Sequence, residues 1–174
     1  MLDALLVLLG VLLIALCLYR RFIGAVFLLA GAYVSTLVAL LSYQEVAYRL
    51  QAIGNNTIWF EGLVFIFLYL LTLVIFFVGS RVAYPDTSTP KLGFLDALLG
   101  AVVGFPVAVV SMALVYRAFG YMVSQRWEPF QTYSSVFVAW AGSRIGPMVD
   151  QLFSAYLYLI YPFFIRQGLP PILQ

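Results

Sequence analysis

Histidine is absent from the 174 residues, and cysteine occurs once, at Cys17. Without imidazole the chain lacks the usual ligands for haem, copper and zinc. A single thiol builds neither a zinc nor an iron–sulfur cluster. It forms no intrachain disulfide, and no His-based catalytic dyad or triad can be assembled. Cys17 sits inside an apolar block and reads as a small packed apolar residue. Charge is equally scarce. Nine Lys/Arg and seven Asp/Glu make up 9% of the chain, against about 25% in an ordinary soluble domain. The formal charge of +2 is too small to imply a nucleic-acid partner, and no phosphate-binding glycine loop occurs. These absences lead us to expect no enzyme activity, no metal and no cofactor. Contacts with lipid or a hydrophobic pigment stay open.

What the chain has instead is long apolar blocks. Its hydrophobic fraction is 64%, well above the roughly 45–50% of soluble domains. No charge interrupts residues 4–19, 22–44, 62–80 or 97–116. Crossing about 30 Å of hydrocarbon takes roughly 20 apolar helical residues. Lipid-exposed backbone must also satisfy its own hydrogen bonds, so each block predicts a helix. The expected fold is an all-α membrane protein. Four transmembrane helices, near 2–19, 22–43, 61–80 and 94–116, pair as two antiparallel hairpins. The third is the plainest: fourteen of the nineteen residues in 62–80 are Leu, Ile, Val or Phe. They contribute roughly −4 to −8 kcal/mol on the insertion scale. The N-terminus has no basic stretch before its apolar run and carries Asp3 instead, so it reads as a retained helix and not as a signal peptide.

The connections differ in character. Arg20 and Arg21 allow only a tight turn. Glu45 and Arg49 are spaced to pair on one helical face, within an expected short interfacial helix that ends at Gly54-Asn55-Asn56. Asn55-Asn56-Thr57 also matches a glycosylation acceptor pattern, a weak signal. Residues 84–90 form the clearest loop. Helix four carries small residues at steps of three and four: Ala97, Gly100, Gly104, Ala108 and Ser111. Helix two has a similar stripe in Gly24, Gly31, Ser35 and Ala39. Such stripes let membrane helices approach closely, and these two predict contact between helices two and four. Pro106 should kink helix four.

Residues 121–174 are aromatic-rich and shorter in their runs. Tyr133, Phe137 and Trp140 are spaced for one face of a helix over 130–141. A second helix over 148–165 carries Asp150 near its start and Pro162 near its end. Two amphipathic helices lying at the interface are expected, with a re-entrant helix or a fifth crossing as alternatives. Arg20, Arg21, Arg81 and Lys91 should face the cytoplasm or bind lipid headgroups, although Arg117, Arg126, Arg144 and Arg166 then lie outside. Leu2-Asp-Ala-Leu-Leu6 recurs as Leu95-Asp-Ala-Leu-Leu99. Chance recurrence of five apolar-rich residues, or two acid-started helices with similar first turns, accounts for that more simply than an internal repeat.

The stretch from Gly93 to Gly104, with Asp96, Gly100 and Gly104, resembles the colicin V production protein family. Asp3, the turn at Arg20-Arg21 and Gly79-Ser80-Arg81 fit as well. Ala97 replaces the family's basic residue, and the glycine usual after the arginines is missing. The likeness covers about residues 1–120, a four-helix domain, and leaves 121–174 as a separate tail. It implies a small inner-membrane protein needed for export of a peptide toxin. Asp96 is the candidate functional acid, as a cation site or proton relay, set against a plainer role at a helix N-terminus. The expected function is a non-catalytic structural or accessory subunit of a larger membrane assembly, respiratory or photosynthetic among the options. The alternative is a component of a transport or peptide-export system. The expected partners are the bilayer and other membrane subunits or further copies of the chain.

Overall fold

A computed structural model describes residues 1–51, 58–85, 94–165 and 168–173. Lys91, Arg166, the 54–57 segment and most of the expected 84–90 loop lie outside the described residues. The elements are α1 (Leu2–Gln51), α2 (Ile58–Ala83), α3 (Phe94–Val123), α4 (Phe130–Ala141) and α5 (Ile145–Ile160), followed by 3-10 turns at Tyr161–Phe164 and Pro171–Leu173. Among the described residues there is no strand. Three helices are long and apolar enough to cross a membrane. Their outward faces are covered with large apolar side chains such as Leu8, Val11, Phe67, Ile75 and Val102. Water would strip such a surface of its solubility; acyl chains solvate it.

A straight α1 would be about 75 Å long, more than twice the hydrocarbon thickness. Arg21 prevents this. Its φ of 60° and ψ of −169° fall in a region that suits glycine, so the helix breaks there into two arms, 2–20 and 22–51. A non-glycine residue held in that region stores roughly 1–3 kcal/mol. Contacts with α3 give the direction of each arm. Cys17 lies against Gly104 and Gly10 against Met112, so the first arm runs antiparallel to α3. Phe22 meets Asp96 and Tyr43 meets Tyr121, so the second arm runs parallel to α3. The chain therefore folds back on itself at Arg21. The second arm also packs antiparallel on α2, with Gly31 against Phe76 and Tyr43 against Phe65.

Two expectations change. The helix after Tyr43 is not a separate interfacial piece, since the second arm runs unbroken to Gln51. The Glu45–Arg49 pair does form on it, at 2.5 Å. The tail also differs. α4 has no buried residue, while α5 turns one face to the bundle and leaves Met148, Leu152, Tyr158 and Leu159 exposed on the other. Val149, Phe153, Ile160, Phe164, Ile172 and Leu173 join the same core as Leu28, Tyr43, Tyr69 and Leu114. Asp150 stands near the start of this helix. Its charge is met by Arg117 of α3, 2.5 Å away, which lets the rest of the helix pack inward.

Candidate functional site

Asp96 stands in the first turn of α3 with none of its surface exposed. Its Oδ1 accepts a hydrogen bond from the backbone N–H of Phe22 at 3.2 Å. Phe22 opens the second arm, so the carboxylate caps a neighbouring helix and places negative charge at the positive end of that helix's dipole. Beside it, Arg20 is buried, with Nη2 donating to the Tyr84 carbonyl at 3.4 Å and the guanidinium 5.9 Å from the Phe77 ring. The break in α1, the end of α2 and the start of α3 thus meet in one polar joint. Arg21 and Arg81 are exposed at this end of the bundle. Arg20 therefore binds within the protein, whereas the side chains of Arg21 and Arg81 stay on the surface.

Below the joint the small residues set the helix spacing. A Cβ on Gly100 would come within 2.7 Å of the Cys17 carbonyl oxygen and the Arg21 carbonyl carbon. One on Gly104 would come within 2.6 Å of the Cys17 Cβ. The glycines of α3 therefore receive the first arm, whereas the sequence pattern predicted the second. Gly31 of the second arm instead receives Phe76 of α2. Gly24, Ala39 and Ala108 are buried, and Ala97 is half-buried. Ser35 is fully buried, and its hydroxyl has no hydrogen-bond partner among the described residues. Mid-bundle polar groups are few and mostly self-satisfied. Thr36 bonds back to Ala32, and the Tyr69 hydroxyl lies 2.6 Å from that of Ser111, which itself donates to Val107.

The opposite end holds a second polar cluster. Arg117 donates to Asp150 through Nε and to the Leu173 carbonyl through Nη1, and its guanidinium lies 5.2 Å from the Phe153 ring. Tyr121 donates to Glu61 at 2.6 Å. A cavity of about 280 Å³ lies among Tyr116, Arg117, Tyr121, Trp140, Asp150 and Ile172. Asp3 caps here as Asp96 does at the other end. Its carboxylate accepts from the Ser143 hydroxyl at 2.5 Å and from the N–H groups of Arg144 and Ile145 at 3.1 and 3.3 Å. The rings of Trp59, Trp127, Tyr133, Phe137, Trp140 and Tyr116 form a chain of neighbours at this end. Such a belt belongs at headgroup level. The sequence gives no hint of the Arg117–Asp150 and Tyr121–Glu61 pairs, because no local spacing links residues so far apart. Among the described residues no group of His, Cys, Asp and Glu could hold a metal.

Long apolar helices, a dry core and aromatic and charged ends define a multi-pass helical membrane protein. The family model for the colicin V production protein matches residues 2–154. The chain belongs to that family, and the match runs through α4 into α5, beyond the residue 120 limit expected from the motifs. No curated protein and no solved structure matched the chain.

Proposed function

We propose that the protein is a non-catalytic accessory component of a cytoplasmic-membrane system for producing or exporting a colicin V type peptide. In this reading the two arms of α1, α2 and α3 make four crossings arranged as two antiparallel hairpins. The observation that carries it is the closed interior. Tyr43, Phe65, Tyr69, Leu114, Val107 and Cys17 are all no more than 1% exposed and fill the space between the helices. A single copy thus offers no aqueous path for a peptide and works by packing against something else. Family membership favours an export host over the respiratory or photosynthetic assembly that composition alone allows. A second reading, a conduit built from several copies, draws support from the exposed apolar face of α5, Met148, Leu152 and Leu159, which a further copy would cover. Purification of the full chain in mild detergent tests the proposal. A stoichiometric complex with other membrane subunits is the expected result. A homo-oligomer that passes ions or peptides in liposomes would replace it with the second reading.

A further inference from the structure

Four contacts come in two matching pairs. Asp96, near the start of α3, accepts from the N–H of Phe22. Asp3, near the start of the first arm, accepts from the N–H of Ile145. The two acids sit in identical Leu-Asp-Ala-Leu-Leu sequences, and the two N–H groups each follow an arginine, Arg21 or Arg144. Farther along, the Tyr156 hydroxyl donates to Thr36 at 3.2 Å, and the Tyr33 hydroxyl donates to the Leu159 carbonyl at 3.1 Å. One constant shift along the chain carries Phe22 to Ile145, Tyr33 to Tyr156 and Thr36 to Leu159. Exchanging the two sets turns each residue pair into the other, with Tyr156 meeting a side-chain oxygen where Tyr33 meets a backbone one. Tyr33 and Tyr156 exchange with each other, and their rings touch edge to face, 6.1 Å apart and at 90°.

We infer that the chain is an inverted repeat, with a local two-fold axis between Tyr33 and Tyr156, in which Asp96 and Asp3 latch matching return helices at opposite membrane faces. One unit is the first arm followed by the second arm. The other is α3 followed by α5, with α4 inserted between them. The leading helices pair antiparallel through Gly10, Cys17, Gly100 and Gly104, which an axis lying in the membrane plane requires. Tyr33 and Tyr156 each come eleven residues after the start of their return helix, about 16 Å at helical rise. That is roughly half the hydrocarbon thickness, so the two helices enter from opposite faces and meet at mid-depth. The second arm continues across. α5 stops, turns through Tyr161–Phe164, and the chain is back at the level of Arg117 by Leu173. Irregular backbone at such depth is tolerated where it is held within the protein: Ile160, Phe164, Ile172 and Leu173 are buried, while Tyr161, Phe163 and Ile165 turn their apolar side chains outward, and the Gly168 N–H closes the turn onto the Phe164 carbonyl. Inverted repeats with one interrupted helix are the construction by which membrane proteins present equivalent structures to both faces. Each latch is then the point at which its return helix can be released from its own side.

The inference rests on the membrane-spanning reading but not on the export role, and its test reads topology and local opening, not export. Single cysteines replace Arg21, Tyr48, Arg144 and Phe163 in a Cys17→Ala background, and intact and permeabilised vesicles are treated with a membrane-impermeant maleimide. Arg144→Cys and Tyr48→Cys should label from the face opposite Arg21→Cys, and Phe163→Cys should label at least tenfold more slowly from either face. Rapid labelling of Phe163→Cys from the Arg144 face means a surface tail, and labelling from the Arg21 face means a full crossing; either overturns the inference. Hydrogen exchange on the full chain in nanodiscs then reads the latches. Asp3→Asn should speed exchange several-fold at residues 145–149 and not at 22–26, and Asp96→Asn should do the reverse. Equal loosening at both sites, or at neither, refutes matched latches. Should Asp96→Asn fail to accumulate, the peripheral Asp3→Asn variant decides alone.

Discussion

A single methyl group at Gly100 should force the first arm of α1 away from α3. The added Cβ would stand 2.7 Å from the Cys17 oxygen and from the Arg21 carbonyl carbon, where about 3.5–4 Å is comfortable. Both obstacles are backbone, so no rotamer change relieves them, and the helices must part by about 1 Å. Overpacking of this kind costs roughly 1–3 kcal/mol. The same movement stretches the 3.2 Å bond between Asp96 and Phe22, and losing a cap costs about 0.5–2 kcal/mol. The sum, about 1.5–5 kcal/mol, lowers the folded-to-unfolded ratio by one to nearly four orders of magnitude. Thermal unfolding of the detergent-solubilised chain should show Gly100→Ala melting several degrees below the parent. Gly79→Ala, where a Cβ would meet nothing within 4 Å, should melt with the parent or above it, since alanine is the better helix former. At Gly104 the obstacle is the Cys17 side chain, so Cys17→Gly should rescue Gly104→Ala and fail to rescue Gly100→Ala. Parental stability in Gly100→Ala, or equal rescue of both variants, would refute the packing argument.

Asp150→Asn removes the charge opposite Arg117 and should loosen the attachment of α5 by about 1.5–3 kcal/mol, the usual worth of a hydrogen bond to a charged group. Limited proteolysis should show the segment after Ala141 cut faster while the three long helices survive. Tyr69→Phe deletes the buried bond to Ser111 and leaves Ser111 bonded to Val107. A loss of only about 0.5–1.5 kcal/mol is expected, and a larger loss would show that the hydroxyl has further duties. Arg21→Gly should raise the melting temperature by relieving part of the roughly 1–3 kcal/mol held at its φ of 60°. Unchanged or lower melting would mean that the turn is not strained.

The apolar spans were legible because a bilayer accepts little else, and the helix at 130–141 emerged with the expected limits because Pro129 and Gly142 bound it. Three features were hidden. The second arm reaches Gln51 because Glu45 and Arg49 extend the helix into water, where charge does not end it. The glycines of α3 were assigned to the wrong neighbour because a small-residue stripe marks close approach without naming the partner. The repeated Leu-Asp-Ala-Leu-Leu was set aside because five residues carry little information. Its meaning lies in which N–H groups the two acids hold, and those contacts span most of the chain.

The repeat bears on orientation as well. At the Arg21 end the described cations are Arg20, Arg21 and Arg81; at the other end they are Arg49, Arg117, Arg126 and Arg144. Orientation follows the Lys/Arg count in short loops, so neither end holds a strong advantage. Arg20 is buried, and Arg117 is held by Asp150. Among the described residues each end is left with a small exposed set, Arg21 and Arg81 against Arg49, Arg126 and Arg144. A two-fold arrangement makes near-balance natural, because whatever loop one unit presents inward, its counterpart presents outward. Orientation should therefore respond steeply to small changes. Removing Arg126 and Arg144 together should drive the Arg21 end into the cytoplasm, and removing Arg21 and Arg81 should drive it out. Maleimide labelling of Tyr48→Cys in whole cells, in the Cys17→Ala background, counts the two populations. If both double variants keep the parental orientation, loop charge does not set the topology and the balance argued from the arginines is wrong.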